Sequence, residues 1–168
     1  MTVDGRRTGW LTGMFLYRFR EILTHTAFRY RVAVPIYCLM PDHLHMLWHG
    51  LATTSDQLVA LRYFREQTGR SLQWVGYRWQ KQAYDRVIRE KEIDENELRT
   101  LVEYIARNPE RAGIVAVDAF AEYAYTGCLI PGHPDLRLFQ TDSWDRIWRA
   151  IGYDKRTDGF RRPDPRRA

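Results

Sequence analysis

The stretch Tyr37-Cys-Leu-Met-Pro-Asp-His-Leu-His-Met-Leu-Trp48 is an apolar segment that carries two histidines, His43 and His45, one residue apart. Successive side chains of a β-strand point to opposite faces, so this spacing predicts both imidazoles on one face, with the apolar residues between and after them on the other. Two neutral imidazoles on one strand face are able to hold a divalent cation. His-x-His pairs also occur in half-buried strands that bind no metal, so the pair alone leaves both interpretations open.

The connection between the histidine strand and the strand before it is short. The first strand is predicted over residues 30–39 and the second over residues 43–49, with Met40-Pro41-Asp42 between them, which predicts an antiparallel hairpin. Asp42 is interpreted as a turn residue, with orientation of the His43 ring as the alternative. Together with the predicted helices, the hairpin indicates an α+β fold in which helices pack on an antiparallel sheet.

The other elements follow from hydrophobic spacing and from glycine and proline positions. Helices are predicted over residues 11–27, 55–66 and 143–151, a glycine-containing break at Gly69 and Gly76, a strand or turn over 78–88, and aromatic loop over 118–140.

A further helix is predicted in the segment that begins Asp94-Glu-Asn-Glu-Leu and runs to Pro109. Asp94 with Glu97 makes a start that resembles a capping box, and apolar residues follow at helical spacing. Tyr104 and Asn108 are four residues apart and lie on one side of the helix, which Pro109 ends at Asn108. Taken alone, Tyr104 and Asn108 are more simply an edge residue and a helix cap. The residues predicted to face the core are Leu98, Leu101, Val102 and Ile105.

Together these segments resemble the REP-associated tyrosine transposases, which belong to the HUH superfamily of single-tyrosine, single-strand DNA transposases and nucleases. The resemblance rests on His-hydrophobic-His after Leu-Met-Pro-Asp, and on Tyr-Ile-Ala-Arg-Asn-Pro-Glu-Arg-Ala-Gly-Ile-Val from residue 104. It extends through Trp79-Gln-Lys-Gln-Ala-Tyr-Asp-Arg-Val-Ile-Arg89 and Tyr125-Thr-Gly-Cys-Leu-Ile-Pro-Gly-His-Pro-Asp-Leu136, and so covers about residues 8–150.

The resemblance implies a ferredoxin-like HUH domain that cleaves and rejoins single-stranded DNA at hairpin-associated sites through a 5′-phosphotyrosine intermediate. It implies that His43, His45 and Asn108 hold one Mg²⁺ or Mn²⁺ and that Tyr104 attacks a DNA phosphate. The chemistry of these residue types agrees, because three ligands leave open positions for the phosphate and a cation stabilises charge there. Mixed nitrogen and oxygen ligands without cysteine favour Mg²⁺ or Mn²⁺ over structural Zn²⁺.

Two other functions are compatible with parts of the pattern. A domesticated or inactive relative would bind DNA hairpins without cutting them, although all the implied site residues are present. A His-x-His metallohydrolase that acts on a small molecule is usually built on a much longer barrel. It would need neither Tyr104 beside Asn108 nor an arginine-rich chain.

The composition fits a DNA partner, which the resemblance implies to be single-stranded or hairpin DNA. Lys and Arg number 26 against 21 Asp and Glu, which gives a net charge of +5, and 23 of the 26 are arginine. Arginine is the side chain best suited to bidentate phosphate contacts and to stacking on bases. Aromatic residues are interleaved with the basic ones, but the sequence singles out no stacking residue. The candidate DNA contacts are Arg62, Arg65, Arg78, Lys81, Arg86, Arg89, Arg107 and Arg111.

The length of 168 residues and an apolar content of 45% predict a single domain over residues 1–152, followed by a basic, disordered tail over residues 153–168. No signal peptide opens the chain, and no apolar run approaches the roughly twenty residues of a membrane span. The two cysteines, Cys38 and Cys128, are predicted to be reduced. The sequence therefore predicts a cytoplasmic protein without membrane association, as a monomer or a homodimer.

The first strand is expected to be truncated. Family members of this type begin with an apolar strand before the equivalent of Asp4-Gly-Arg-Arg-Thr-Gly-Trp-Leu11, whereas here only Met1-Thr-Val3 precedes that segment. Three residues are too few for a place that normally takes five or six, and an empty place would expose unpaired backbone groups on the metal-bearing strand or its neighbour. A start codon assigned too late and a decayed copy are the two explanations.

Overall fold

The computed structural model describes residues 1–81 and 95–151. The predicted tail at residues 153–168, the candidate contacts Arg86 and Arg89, and the predicted helix start at Asp94 lie outside the described residues. In chain order the elements are α1 (Gly13–Tyr30), β1 (Val32–Leu39), β2 (Leu44–Gly50), α2 (Gln57–Trp74), α3 (Glu95–Ala106), α4 (Asn108–Arg111), β3 (Thr126–Leu129) and α5 (Ser143–Ala150).

The three strands form one antiparallel sheet in the order β2-β1-β3. β1 and β2 make the predicted hairpin, with Cys38 opposite His45 and Leu39 opposite Leu44. β1 is buried at every residue because it is the central strand and helices cover both of its faces. The predicted α+β class, with helices packed on an antiparallel sheet, is confirmed.

A bulge at Pro35 separates two halves of β1. The register with both neighbouring strands shifts across this residue, which has no N–H to donate to a ladder. Beyond the bulge, Tyr37 and Leu39 point to one face of the sheet, and Ile36 and Cys38 point to the other. The second of these faces is the one that carries the candidate site.

Helices cover the two faces unequally. α1 and α2 pack side by side on the first face, where Phe19 and Phe64 meet edge to face with ring centroids 5.4 Å apart. α3 packs on the second face through Val102 and Ile105, and α5 packs beside it through Ile147. α1 and α2 each begin at a capping side chain, because Thr12 accepts from Phe15 N–H and Asp56 accepts from Val59 N–H.

α2 reaches Trp74, two turns beyond the predicted end at residue 66, so that prediction was wrong. Gly69 lies inside the helix, against the ring of the buried Trp79, and an added Cβ would lie 3.6 Å from its Cδ1 atom. The Trp79 indole N–H donates to Thr68 in the same turn, at 3.0 Å. We attribute the continuation to this packing, which offsets the cost of about 1 kcal/mol for a helical glycine.

β3 lies inside the segment that was predicted to be loop. It has four residues with Gly127 among them, and glycine is a poor strand former. An added Cβ at Gly127 would lie 2.5 Å from Oη and 2.7 Å from Cζ of the buried Tyr37. The glycine is required by contact with a distant tyrosine, which no local pattern reveals.

Gly127→Ala is therefore expected to lower the free energy of unfolding by about 1–3 kcal/mol, because the new methyl group must displace a buried ring. Urea denaturation measures this difference. Gly13→Ala is the matched control, since it lies at the start of α1 with nothing within 4 Å of an added Cβ. Equal stability of the two variants would show that the Tyr37 ring moves aside at no cost.

The first three residues form backbone bridges with two other segments of the chain, one on each side. Thr2 forms a bridge with His43, and Val3 forms one with Trp79. These residues occupy the place beside the start of β2 that was expected to stay empty, over the short length that three residues allow. The accompanying backbone hydrogen bonds run from Val3 N–H to Asp42 O, from Leu44 N–H to Met1 O and from Gln80 N–H to Thr2 O.

Cys38 is buried and Cys128 is half-buried, and the two are not joined in a disulfide. Among the helices in residues 1–81 and 95–151, none is long and apolar enough to cross a membrane.

Candidate functional site

His43 and His45 share the face of the sheet that α3 covers. Leu44 is buried with the α1 and α2 core on the opposite face, whereas Leu47, which has the parity of the histidines, packs against the cluster around α3. The predicted placement of the pair is confirmed. The two Nε2 atoms lie 2.8 Å apart, so each ring directs its own Nε2 atom toward the same point.

Asp42 fixes the His43 ring. Its Oδ1 accepts from His43 Nδ1 at 2.6 Å, and its Oδ2 accepts from Arg6 at 2.8 Å. Because a carboxylate only accepts, the hydrogen of a neutral His43 lies on Nδ1, and the lone pair of its Nε2 points toward Nε2 of His45. Burial alone would raise the pKa of Asp42, but the hydrogen bonds from His43 and Arg6 outweigh it and hold that pKa below its usual value. The orienting role is thus the one that the structure supports for Asp42, beyond its place in the turn.

His45 is held neutral. Burial, followed by the charges of His43, the N-terminal amine and Arg111, lowers the pKa of His45 to about 4. At neutral pH the ring is therefore unprotonated, which is the state a metal ligand needs.

Tyr104 and Asn108 lie at the end of the helix that covers this face. α3 ends at Ala106, and α4 begins at Asn108 with Pro109 in its first turn, so the predicted helix end is confirmed within two residues. Tyr104 is 57% exposed and its phenol is accessible. Asn108 is half-buried, and its Nδ2 donates to the carbonyl of Ile105 at 2.9 Å.

Arg111 contacts both Tyr104 and Asn108. Its guanidinium carbon lies 3.9 Å from the centroid of the Tyr104 ring, and its Nη2 donates to Asn108 Oδ1 at 3.0 Å. The same nitrogen donates to the backbone carbonyl of Tyr104. Its charge also helps to lower the pKa of His45. The sequence indicated Arg111 as a DNA contact but gave no sign of these bonds, which depend on the turn after α3.

The other candidate DNA contacts differ in their surroundings. Arg65 donates to the backbone carbonyls of residues 80 and 81, and Arg78 pairs with Asp4 at 2.6 Å, so both hold the chain after α2 in place. Arg62 and Lys81 are exposed.

Arg107 is enclosed by carboxylates. It pairs with Glu103 at 3.1 Å, with Glu110 at 3.1 Å and with Asp118 at 3.2 Å, and it lies over the Phe120 ring. Hydrogen bonds to these acidic groups, that to Glu103 first, raise the pKa of Arg107. This geometry favours a structural role for Arg107 over contact with DNA.

The donor set suits one cation. Nitrogens bound to one ion at about 2.1 Å lie roughly 3 Å apart at a right angle, close to the 2.8 Å between the histidine nitrogens. In the part of the chain that the structure describes, no three His, Cys, Asp or Glu side chains form a metal cluster. The amide of Asn108 is bonded to Ile105 and Arg111, so the structure does not itself bring it to the histidine pair. His49, which shares the parity of the pair, instead has its Nε2 3.2 Å from the carbonyl oxygen of Ile151.

Known proteins share this arrangement of elements. No protein-family model matches the chain. Over 130 residues, 70% of this chain and 71% of the relative, it is 25% identical to a Haemophilus influenzae protein that is provisionally named a REP-associated tyrosine transposase. Among solved structures, it resembles a REP-associated tyrosine transposase bound to a REP hairpin, with a TM-score of 0.61 and 19% identity over 74% of this chain and 71% of that one.

The fold is therefore one that a REP-associated tyrosine transposase adopts. The resemblance to the REP-associated tyrosine transposases, first seen in the two motifs, is confirmed.

Proposed function

We propose that this protein is a metal-dependent, single-stranded DNA transposase or endonuclease that cleaves and rejoins DNA at hairpin-associated sites. The observation that carries the proposal is the pair of converging histidine nitrogens on the sheet face that is covered by the helix bearing Tyr104. The relatives support a DNA hairpin as the partner, because one of them is a transposase bound to such a hairpin. The activity is assigned to one domain, residues 1–152.

Tyr104 is the proposed nucleophile. Its oxygen forms a bond to the phosphorus of the scissile phosphodiester, and the bond from phosphorus to the 3′-oxygen breaks. The phenol loses one proton and the leaving 3′-oxygen gains one, so the step balances without a high-energy cofactor. The product is a 5′-phosphotyrosine and a free 3′-OH, and attack by another 3′-OH reverses the step and joins new strands.

The residues proposed to hold the implied cation are His43, His45 and Asn108. Bound there, Mg²⁺ or Mn²⁺ would polarise the scissile phosphate and stabilise negative charge on it. Asp42 keeps the His43 ring in the tautomer that a ligand requires, and the low pKa of His45 keeps its ring neutral.

Arg111, which contacts both Tyr104 and Asn108, is proposed to bind the DNA phosphate when it arrives at Tyr104. A DNA phosphate is a stronger acceptor for a guanidinium than a neutral amide oxygen, since a charge-assisted hydrogen bond is about twice as strong as a neutral one. A phosphate that reaches Tyr104 would therefore draw Arg111 from Asn108 Oδ1. Substrate entry would then release the amide oxygen for the cation.

The proposal is tested with a hairpin oligonucleotide that carries a single-stranded flank, incubated with and without Mn²⁺. We expect cleavage of the flank in the presence of Mn²⁺, and binding that weakens steeply with salt because phosphate contacts release counterions. A plain duplex of the same sequence is the control and should bind more weakly. Binding of the hairpin without any cleavage would instead indicate a domesticated relative, and equal binding of both DNAs would indicate a non-specific basic protein.

Arg111→Ala should have two opposite effects. Cleavage should slow by at least about tenfold, because a phosphate contact and the support of the Tyr104 ring are lost. In the absence of DNA, Mn²⁺ affinity should rise a few-fold, because a nearby positive charge is removed and Asn108 Oδ1 is freed. Cleavage kinetics and calorimetric titration measure the two effects.

Arg99→Ala is the matched control, since Arg99 is an exposed arginine on the same helix as Tyr104. It should change neither quantity. Weaker Mn²⁺ binding by Arg111→Ala would mean that Arg111 simply holds the end of α3 in shape.

A further inference from the structure

A groove lies between α1 and α2, lined by residues of both helices and remote from the candidate site. Its volume is about 950 Å³, within the range of ligand pockets. α1 buries Phe19 towards the sheet, and Tyr17 and Phe28, which line the groove, are exposed on the other side of the helix. The groove and the histidine pair are therefore on opposite sides of the sheet.

Exposed aromatic side chains line the α1 part of this groove. Tyr17 is 69% exposed and Phe28 is 63% exposed. They are separated by about three helical turns and lie on one side of α1, as does Met14 at its start. Single exposed apolar residues are common, but an aligned set along a groove is typical of a binding surface.

The α2 part of the groove holds Tyr63 in a fixed orientation. The ring stacks on His25 at 5.8 Å between centroids and 28° between planes, and its hydroxyl lies 3.2 Å from His25 Nδ1. The guanidinium of Arg29 lies over the same ring, 5.2 Å from its centroid. The Tyr63 ring is therefore held by contacts within the protein and forms a fixed wall of the groove.

The charge of this surface is positive. From Gly13 to Arg31 the chain carries four arginines and one glutamate. That glutamate, Glu21, pairs with Arg18 at 2.9 Å. Among the residues that the structure describes, no carboxylate pairs with Arg20 or with Arg29, which lies over the rings of Tyr30 and Tyr63. The groove thus combines aromatic faces with cations that are available to an anionic ligand.

We infer that the groove between α1 and α2 binds single-stranded DNA, with unpaired bases stacked on Tyr17 and Phe28 and phosphates beside Arg20 and Arg29. Single-stranded nucleic acids are bound by this combination, because every base has a face that stacks on an aromatic ring and the backbone is anionic. A second copy of the chain docked through the same surface would bring two positive faces together, which like charges oppose.

The choice of DNA over RNA rests on the proposed function, whereas the affinity of the groove for a single strand does not. The groove binds a segment of strand apart from the scissile phosphate, since the sheet separates the two sites. It thereby holds flanking DNA while the chemistry takes place elsewhere.

The experiment measures fluorescence anisotropy of labelled oligothymidylate of about 12 nucleotides, a length within the range that single-strand sites cover. A chelator is present throughout, so the result does not depend on a cation or on cleavage. Tyr17→Ala and Phe28→Ala should each weaken binding about fivefold, as expected for the loss of one stacked base. Arg20→Gln should lower the slope of log affinity against log salt by about 0.7.

Trp74→Ala is the matched control, because Trp74 is an aromatic residue that is 91% exposed outside the groove. Thermal melting confirms that each variant is folded, and the exposure of Tyr17 and Phe28 makes unfolding unexpected. Unchanged affinity of both groove variants overturns the inference, as does an equal loss in Trp74→Ala. Tighter binding of oligouridylate than of oligothymidylate overturns the assignment to DNA.

Sedimentation of the wild-type protein tests whether a second copy of the chain covers the groove. A dimer that Tyr17→Ala converts to a monomer would show that the groove is covered by a second copy, which also overturns the inference. If the hairpin assay shows no cleavage while the groove variants still weaken oligonucleotide binding, the proposed function fails and the groove assignment stands.

Discussion

Tyr104→Phe should abolish the covalent adduct between protein and DNA and slow strand cleavage by at least about a thousandfold, because it removes the attacking oxygen and nothing else. DNA affinity should stay within about twofold of the wild type, since the ring still packs under the guanidinium of Arg111. An oligonucleotide labelled at its 3′ end separates the products on a denaturing gel. The labelled fragment stays with the protein if the link is a 5′-phosphotyrosine.

Tyr125→Phe is the control for this variant. Tyr125 is half-buried and packs with the α1 and α2 core on the other side of the sheet, so the loss of its hydroxyl should leave adduct formation unchanged. An adduct of undiminished yield with Tyr104→Phe would assign the nucleophile to another residue. Adducts on the 5′ labelled fragment instead would reverse the polarity of the proposed cleavage.

His43→Ala and His45→Ala should each weaken Mn²⁺ binding by at least about a hundredfold and reduce cleavage in parallel. Loss of a residue that merely orients a ligand already costs about ten- to a hundredfold, and these residues are the proposed ligands themselves. Asn108→Ala should have a smaller effect, because a neutral amide oxygen is the weakest of the three donors and water can replace it. Calorimetric titration with Mn²⁺ measures all three.

His133→Ala is the matched control, since His133 lies in the loop after β3 and should leave Mn²⁺ affinity unchanged. Wild-type affinity in both strand variants would show that the 2.8 Å contact between the histidine rings is a structural hydrogen bond and that the cation binds elsewhere. Equal losses of Mn²⁺ affinity in the three alanine variants would instead show that Asn108 contributes as much to cation binding as each histidine.

The sequence predicted the parts of the molecule that depend on local periodicity. Two local features were sufficient to predict the hairpin and the common face of the two histidine rings. They are the alternation of residues around His43 and His45 and the short connection before them. The end of the tyrosine helix followed from Pro109 in the same way.

The features that were missed depend on tertiary packing and on side-chain orientation, which local sequence patterns do not show. Gly69 continues a helix because Trp79 packs on it, and Gly127 stands in a strand because Tyr37 fills the space above it. Arg111 reaches Asn108 through a turn whose course is decided by tertiary packing. Asp42 was interpreted first as a turn former because its bond to His43 is invisible until the ring orientation is known.

The pairing of the first residues has a consequence for the dynamics of the protein. Thr2 lies between His43 and Gln80, so the strand that bears the histidines, the N-terminal residues and the chain after α2 are joined by one set of backbone hydrogen bonds. Such a set opens as a unit, and the amides of Val3, Leu44 and Gln80 should exchange with solvent hydrogen at a common rate. Ordering of the histidine strand by a bound cation would then slow exchange as far away as Gln80.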